Sequence, residues 1–368
     1  MDNDTNLERL SLKSIDETIK NLGNINILLC GKTGVGKSTL INAIFGGEYA
    51  QTGQGKPVTQ TIEKIHKNGS PLVLYDSKGL ECKEFKPILK DLEKFLNSKR
   101  NTNDIMEQIH IAWICIDENS RRVEEAEKEL AKILQKRKIP FIIIITKAIT
   151  DNGFKDEISK LMETPIEKII RVRAKEQKVD GTNFTIPTFG LEELVNLTNE
   201  LIPEGAKNAF AAAQIVNLKY KILKCQAAIG AGAAAAALLG AVPIPFSDCI
   251  LLIPVQVSML ATISYLFGLK LDKGFLGSLI STVTGCSIAT LGGTKLVATL
   301  FQFFKIVPGV NIAANIITGS TAAGLTTTIG EIYMGVLSLL TKNGKKPTND
   351  EIIKEFKKRF EEKAKKKK

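Results

Sequence analysis

Eight consecutive residues, Gly31, Lys32, Thr33, Gly34, Val35, Gly36, Lys37 and Ser38, match the pattern G-x-x-x-x-G-K-[ST] at every fixed position. Each residue type has a chemical use at that spacing. Glycines let the main chain curl until its N–H groups surround a phosphate, and the start of the following helix adds partial positive charge. The lysine ammonium reaches the β and γ oxygens of a triphosphate, and the final hydroxyl ligates magnesium. The apolar run Ile25 to Cys30 comes before the motif, and the periodic residues Leu40, Ile41, Ile44 and Phe45 come after it. A strand therefore leads in and a helix leads out, the setting this chemistry needs. Residues 31–38 are expected to bind a nucleoside triphosphate with Mg2+, with Lys37 acting on the phosphoryl group and Thr39 continuing the contact into the helix.

The elements that must carry this loop are legible on either side of it. Leu72 to Tyr75, Ile109 to Ile116 and Phe141 to Ile145 are short apolar runs like that before the loop, the composition of strands buried on both faces of a largely parallel sheet. Val123, Ala126, Leu130, Ile133 and Leu134 mark an apolar helical stripe, and Leu191, Leu194, Val195 and Leu201 mark another. Alternating strands and helices predict an α/β, doubly wound, three-layer domain over residues 24–202. Leu12, Ile15, Ile19 and Leu22, stopped by Gly23, predict a short amphipathic helix within residues 1–23. His66 and His110 lack metal-ligand spacing and read as structural, and no Ser-His-Asp or Cys-His arrangement is visible. The six cysteines contain no C-x-x-C pair, Cys30 and Cys115 lie in strand-like runs, and Met1 to Leu10 carries four charged side chains with no apolar run. These features predict a reducing cytosol and no secretory signal.

The segment Ser38-Thr39-Leu40-Ile41-Asn42-Ala43-Ile44-Phe45-Gly46 resembles the first helix of Era-like P-loop GTPases of the translation-factor class. That resemblance implies GTP and GDP as ligands and further boxes in a fixed order. Thr59, in Pro57-Val58-Thr59, is the implied magnesium-ligating threonine, with Thr61 as second choice. Asp76-Ser77-Lys78-Gly79 matches D-x-x-G, which implies Asp76 on magnesium through water and the Gly79 N–H on the γ-phosphate. Lys78 stands where family members carry proline. Thr146 and Lys147 match the start of the [NT]-K-x-D base box, but Ile149 occupies the aspartate position and Asp151 lies two residues beyond. Arg173-Ala174-Lys175 is the implied last box. Leu80 and Glu81 follow Gly79 where Ras-like enzymes place glutamine, so slow hydrolysis is expected, completed by a partner, a second G domain or a potassium-type ion.

Beyond residue 203 the composition changes. Ala211, Ile215, Leu218, Ile222 and Cys225 keep helical spacing, predicting one helix that leads out of the first domain. From Cys225 to Thr341 only Asp248, Lys270, Asp272, Lys273, Lys295, Lys305 and Glu331 are charged. The uncharged stretches 226–247, 249–269, 274–294 and 306–330 each exceed the roughly 18 residues that mark a possible span. Their density of Ala, Gly, Ser and Thr, with Pro243, Pro245 and Pro254, predicts instead a packed helical domain over 203–341 with broken helices or a re-entrant hairpin. The run Val242-Pro243-Ile244-Pro245-Phe246-Ser247-Asp248, with Pro254-Val255-Gln256 and Phe267-Gly268-Leu269, resembles a YcjF-type helical domain of unknown function, membrane-associated in its family. The formal charge of +11 is concentrated at the end of the chain: residues 342–368 hold twelve Lys/Arg against five Asp/Glu. There Thr348 to Glu351 forms a capping box, and Ile352, Phe356 and Phe360 align on a basic helix that is either solvated or placed on anionic lipid.

Together these readings predict a slow regulatory GTPase of the cytoplasm, partly membrane-associated, that couples nucleotide state to a helical domain. A G-domain dimer and an anionic lipid surface are its expected partners, and sequence-specific nucleic acid is not. Two other readings stay open: a soluble ribosome-associated GTPase, and a nucleotide-binding assembly module that barely hydrolyses.

Overall fold

The computed structural model describes the chain except for residues 1–12, 14–16, 19–21, 48–53, 58–61, 68, 78–84, 101, 103, 241–243, 246–251, 271–273, 277, 280–315, 343–344 and 366–368. The chain divides into two compact units, one of residues 23–217 and one of residues 1–22 with 218–368.

In the first unit the chain runs β1 (Ile25–Cys30), α1 (Lys37–Phe45), β2 (Gln54–Pro57), β3 (Ile62–His66), β4 (Leu72–Ser77), α2 (Phe85–Arg100), β5 (Ile111–Asp117), α3 (Glu125–Lys136) and β6 (Phe141–Thr146). It continues through α4 (Phe154–Leu161), β7 (Ile169–Arg171), the hairpin β8 (Gln177–Lys178) and β9 (Thr185–Ile186), α5 (Leu191–Leu201) and α6 (Glu204–Ala213). Seven strands form one sheet in the order β2-β3-β4-β1-β5-β6-β7. The strands from β4 to β7 are mutually parallel, whereas β2 and β3 pair antiparallel at the edge. Every residue of β1 and β6 is buried, because helices cover both faces. On one face Leu28, Val73, Ile114 and Ile143 meet Leu92 and Phe95 of α2, Leu130 of α3 and Phe154 of α4. On the other, Phe45 of α1 stacks on Trp113 at 5.9 Å and meets Phe210 of α6 edge-on. The three-layer α/β sandwich expected from the sequence is therefore present.

One expected element is divided. The helix predicted to run from Ala211 to Cys225 breaks at residues 214–217, where buried Gln214 donates through Nε2 to the Asn217 carbonyl and accepts from the Asn217 N–H through Oε1. That closed pair satisfies two main-chain groups outside the helix and ends it. Ile215, counted in the apolar stripe, is exposed instead.

The second unit contains α7 (Leu218–Leu239), a strand pair β10 (Ile244–Pro245) and β11 (Ile316–Ile317), α8 (Ile253–Leu266), α9 (Gly319–Leu340) and α10 (Asn349–Lys365). Of the predicted N-terminal helix, Lys13, Glu17 and Thr18 are described and helical; Leu12, Ile15 and Ile19 lie outside the described residues. Small residues bring α7 and α9 together: a Cβ on Gly330 would stand 2.6 Å from Ile229. Lys221 of α7 is buried and donates to the Leu266 carbonyl at 2.9 Å at the C-terminal end of α8, and burial lowers its pKa to about 7. The apolar stripe of the tail is turned inward. Ile352, Phe356 and Phe360 are buried, and Phe356 meets Tyr333 of α9 edge-on at 5.5 Å. The capping box at its start forms as expected, with the Glu351 carboxylate accepting from the Thr348 N–H at 2.9 Å. Pro243, Asp248, Asp272 and Lys273 lie outside the described residues.

Candidate functional site

The loop between β1 and α1 is shaped by its glycines. Gly31 has φ 144°, and a Cβ there would come within 2.6 Å of the Cys115 carbonyl oxygen, so the chain passes β5 at a distance only glycine permits. Gly36, at φ 103°, is the N-cap of α1 and offers no side chain to the first-turn N–H groups, leaving them directed at the loop's concavity. Lys37 curls back over the loop: its Nζ donates to the Gly31 carbonyl at 2.6 Å and to the Lys32 carbonyl at 3.2 Å. The same ammonium is 3.8 Å from Asp76 Oδ1. Register explains that meeting, since Leu29 of β1 pairs with Asp76 of β4. The Ser38 hydroxyl, exposed on the first turn, and the Asp76 carboxylate are hard oxygen donors of the kind magnesium takes. Thr59, Thr61, Lys78, Gly79, Leu80 and Glu81 lie outside the described residues.

Thr146 joins the loop to the other end of the site. It is buried at the end of β6, and its hydroxyl bridges the Val35 carbonyl at 2.6 Å and the Ile116 carbonyl at 3.1 Å. Lys147 follows with φ 54°, and its ammonium pairs with Asp117 at 2.7 Å. Ile149 is exposed. Asp151 is occupied elsewhere: Oδ1 accepts from the Lys155 N–H at 3.0 Å at the start of α4 and lies 3.7 Å from Arg171 Nε. Arg173 reaches this loop from β7, donating through Nε to the Ala148 carbonyl at 2.8 Å. The described candidate site residues, among them Lys37, Ser38, Asp76, Thr146 and Lys147, lie at or next to the C-terminal ends of parallel strands, where open α/β sheets bind ligands.

Residues 26–147 match the family of 50S ribosome-binding GTPases. The mostly parallel sheet of the first unit, with helices on both faces, matches the G-domain fold of that family over these residues. Residues 218–362 match a domain of unknown function, DUF697, a stretch that takes in α10 as well as the apolar helices. Over 199 residues the chain is 25% identical to the tRNA modification GTPase MnmE of Alkaliphilus oremlandii, covering 54% of this chain and 38% of that protein. It is 30% identical over 125 residues to GTPase Der of Nautilia profundicola, covering 33% and 26%, and 24% identical over 188 residues to GTPase Era of Lactobacillus helveticus, covering 49% and 54%. The chain spans less than two thirds of the length of each of these relatives.

The first unit holds its loops with charged residues that motif reading passes over. Glu118, only 2% exposed, pairs with Arg171 at 2.7 Å and accepts from the N–H groups of Ile149 and Thr150, so one buried carboxylate shapes the whole base loop. A second acid directly behind Asp117, where the apolar run 111–116 ends, is the signal that could have found it. On the outer side of the phosphate loop, Lys32 pairs with Glu124 at 2.5 Å, and Arg122 shares the same oxygen at 3.0 Å. These residues line a cleft of about 330 Å³ with Asp117, Lys147 and Glu127. Glu124 and Glu127 form a capping box that starts α3.

Burial pushes the Glu127 carboxyl up to about 7, outweighing the Glu124 N–H bond and the Lys32 charge that pull it down. Between its ordinary value of 4.5 and about 7 the folded chain therefore holds a proton that the unfolded chain releases. The stability this contributes is full below pH 4.5 and lost as pH rises through 7. Glu127→Gln keeps an acceptor for the Glu124 N–H and cannot ionise. The variant is expected to be more stable to urea than the parent at pH 8, by about 3 kcal/mol, with little difference at pH 4.5. Equal urea midpoints at pH 8 would contradict a buried, desolvated carboxylate.

Proposed function

We propose that this chain is a slow, magnesium-dependent GTPase whose nucleotide state governs a helical domain working at the membrane surface. One observation carries the reading: the Lys37 ammonium, folded over its loop, lies 3.8 Å from Asp76 on the neighbouring strand, so a cation and a magnesium-type acid converge at one point. Ser38 and Asp76 would hold the magnesium ion, which when bound neutralises charge on the β- and γ-phosphates. Lys37 orients and neutralises the same oxygens, and first-turn N–H groups of α1 complete the cradle. Thr59 and the Gly79 N–H take their Era-like roles through the resemblance. Leu80 and Glu81 in place of a water-orienting glutamine make turnover slow, and a second G domain or a potassium-type ion completes the site.

The membrane half of the proposal rests on the helical unit. Both α7 and α9 are 22 residues long and apolar enough to cross a bilayer by length and composition. The exposed face of α7 from Leu223 through Gln226, Ala227, Gly230, Ala231 and Ala234 to Leu238 carries no charge. Since the tail's apolar stripe is packed on α9, its contribution to anionic lipid is electrostatic, through exposed Lys354, Lys357 and Lys358. The protein is then cytoplasmic and partly membrane-associated, with packed helices laid on the bilayer. The full chain is expected to sediment with liposomes, to resist a salt wash, and to release phosphate from GTP slowly but steadily above background. Protein left in the supernatant with both GDP and a non-hydrolysable GTP analogue would overturn the membrane half; absence of turnover would leave a nucleotide-dependent assembly module. A ribosome-associated role is the second reading, favoured by the family that residues 26–147 match, and co-sedimentation with 50S particles distinguishes it.

A further inference from the structure

The sequence between α6 and α7 calls for a helix, and the structure breaks it. Ala211, Ile215, Leu218, Ile222 and Cys225 keep helical spacing, and no glycine or proline stands between Ala206 and Ile229. The residue types that ordinarily end a helix are therefore absent from this stretch. The break begins at Gln214, whose ψ of 149° lies far from the helical value near −42°. Hydrogen bonds hold it there.

Two main-chain donors of the break have found substitute partners. Gln214 accepts the Asn217 N–H at 2.8 Å and donates through Nε2 to the Asn217 carbonyl at 2.9 Å. Asn217 is fixed in turn to α5, donating through Nδ2 to Asn196 Oδ1 at 2.8 Å. The Ile215 N–H donates to the Ile44 carbonyl in the last turn of α1 at 2.8 Å. Its side chain lies on the same helix end, where a Cβ on Gly46 would stand 3.2 Å from Ile215 Cδ1. In a continuous helix those two N–H groups would bond the Ala211 and Ala213 carbonyls, four residues back. Both forms satisfy both donors, so hydrogen bonding does not choose strongly between them. The forms differ at Val216 and Leu218, whose N–H groups meet no acceptor among the described residues. A continuous helix would give them the carbonyls of Ala212 and Gln214.

Resting on the nucleotide reading above, we propose that residues 214–217 are a conformational switch between two helices and one, and that bound nucleotide favours the two. The link is α1, which begins at the phosphate loop and ends at Ile44 and Phe45. Phosphate held at its first turn restrains this helix, and with it the carbonyl that keeps Ile215 out of a helical bond. The chain leaves the first unit between Asn217 and Leu218. Nucleotide occupancy therefore reaches the first residue of α7 through bonds made within the first unit alone.

The test is amide hydrogen exchange, read residue by residue on the full chain with magnesium and GDP and again after the nucleotide is removed. With GDP the Val216 and Leu218 amides are expected to exchange fast. Without it they should slow by about tenfold or more, as each gains a helical bond. Gln214→Ala deletes both bonds of the clasp and inserts the best helix former, so it should slow the same two amides even with GDP bound. Coupling is reciprocal, and the variant should bind GDP about fivefold more weakly. Exchange at 216 and 218 that ignores nucleotide would overturn the switch while leaving the nucleotide reading intact, and that comparison needs no variant. Fast exchange at both amides in folded, GDP-loaded Gln214→Ala would tell equally against it. Unaltered protein that binds no GDP in a titration would sink both.

Discussion

Lys37→Ala is expected to lower the affinity of the full chain for GTP by about a hundredfold and to abolish turnover. The loss has two parts. Removing the ammonium takes away the charge that neutralises the β- and γ-phosphates, and charge-assisted bonds are the strong ones in such a site. It also uncovers acceptors: the Gly31 and Lys32 carbonyls now bonded to Nζ, and the Asp76 carboxylate 3.8 Å from it, would then face phosphate oxygens with no cation between. Attraction becomes repulsion at the same point. Calorimetric titration with a non-hydrolysable GTP analogue measures the first effect and phosphate release the second. A far-ultraviolet spectrum and melting curve like those of the parent would show that the loop change is local. An unchanged dissociation constant would remove the phosphate-site assignment.

The loop between β1 and α1 was legible in the sequence because its glycines and the residues after them are consecutive. Glycines at 31, 34 and 36 are demanded by positive φ, and Lys37 and Ser38 follow at fixed spacing. The parallel strands were legible for a related reason: helices on both faces leave β1, β5 and β6 almost without polar residues, so each reads as an isolated apolar run. The antiparallel strands toward one edge carry no such mark. In β3, Ile62-Glu63-Lys64-Ile65-His66, only Ile62 is buried and the other four side chains are partly exposed, which leaves an ambiguous pattern in the sequence. The base end was harder still, because its organisers come from separate elements. Glu118 and Arg171 meet only through the sheet order β5-β6-β7, and no local spacing encodes that. The divided helix at Gln214 shows the opposite failure, a periodicity that continues in sequence across a break made by one side chain. Periodicity located the tail's apolar stripe and could not say whether solvent, lipid or α9 would meet it; the T-shaped contact of Phe356 with Tyr333 answers in favour of α9.

Gly190 is the position at which a single methyl group is expected to do the most damage. It lies between Phe189, paired with Arg173, and the first turn of α5, whose Leu194 N–H bonds the Gly190 carbonyl at 3.1 Å. Its φ of 75° already disfavours any side chain. More decisive is the space, because a Cβ there would overlap the main-chain carbonyl oxygen of Arg171 and stand 3.3 Å from Val172 Cα. A backbone carbonyl in the last turn of a sheet strand has no rotamer into which to retreat. Either the end of β7 moves, drawing Arg171 away from Glu118, or the 185–189 segment gives up its pairing with Arg173. Both routes break buried contacts, so Gly190→Ala should cost more than about 4 kcal/mol, a large share of the roughly 5–15 kcal/mol that holds a domain folded. Gly205→Ala is the matched control, since a Cβ at that position in α6 meets nothing within 4 Å. There the same substitution should stabilise by up to about 1 kcal/mol, as alanine does for glycine inside a helix. Urea unfolding of the two variants beside the parent separates them. A Gly190→Ala midpoint equal to that of the parent would mean that the hairpin return is free to shift, and the fixed pairing of Phe189 with Arg173 would fall with it.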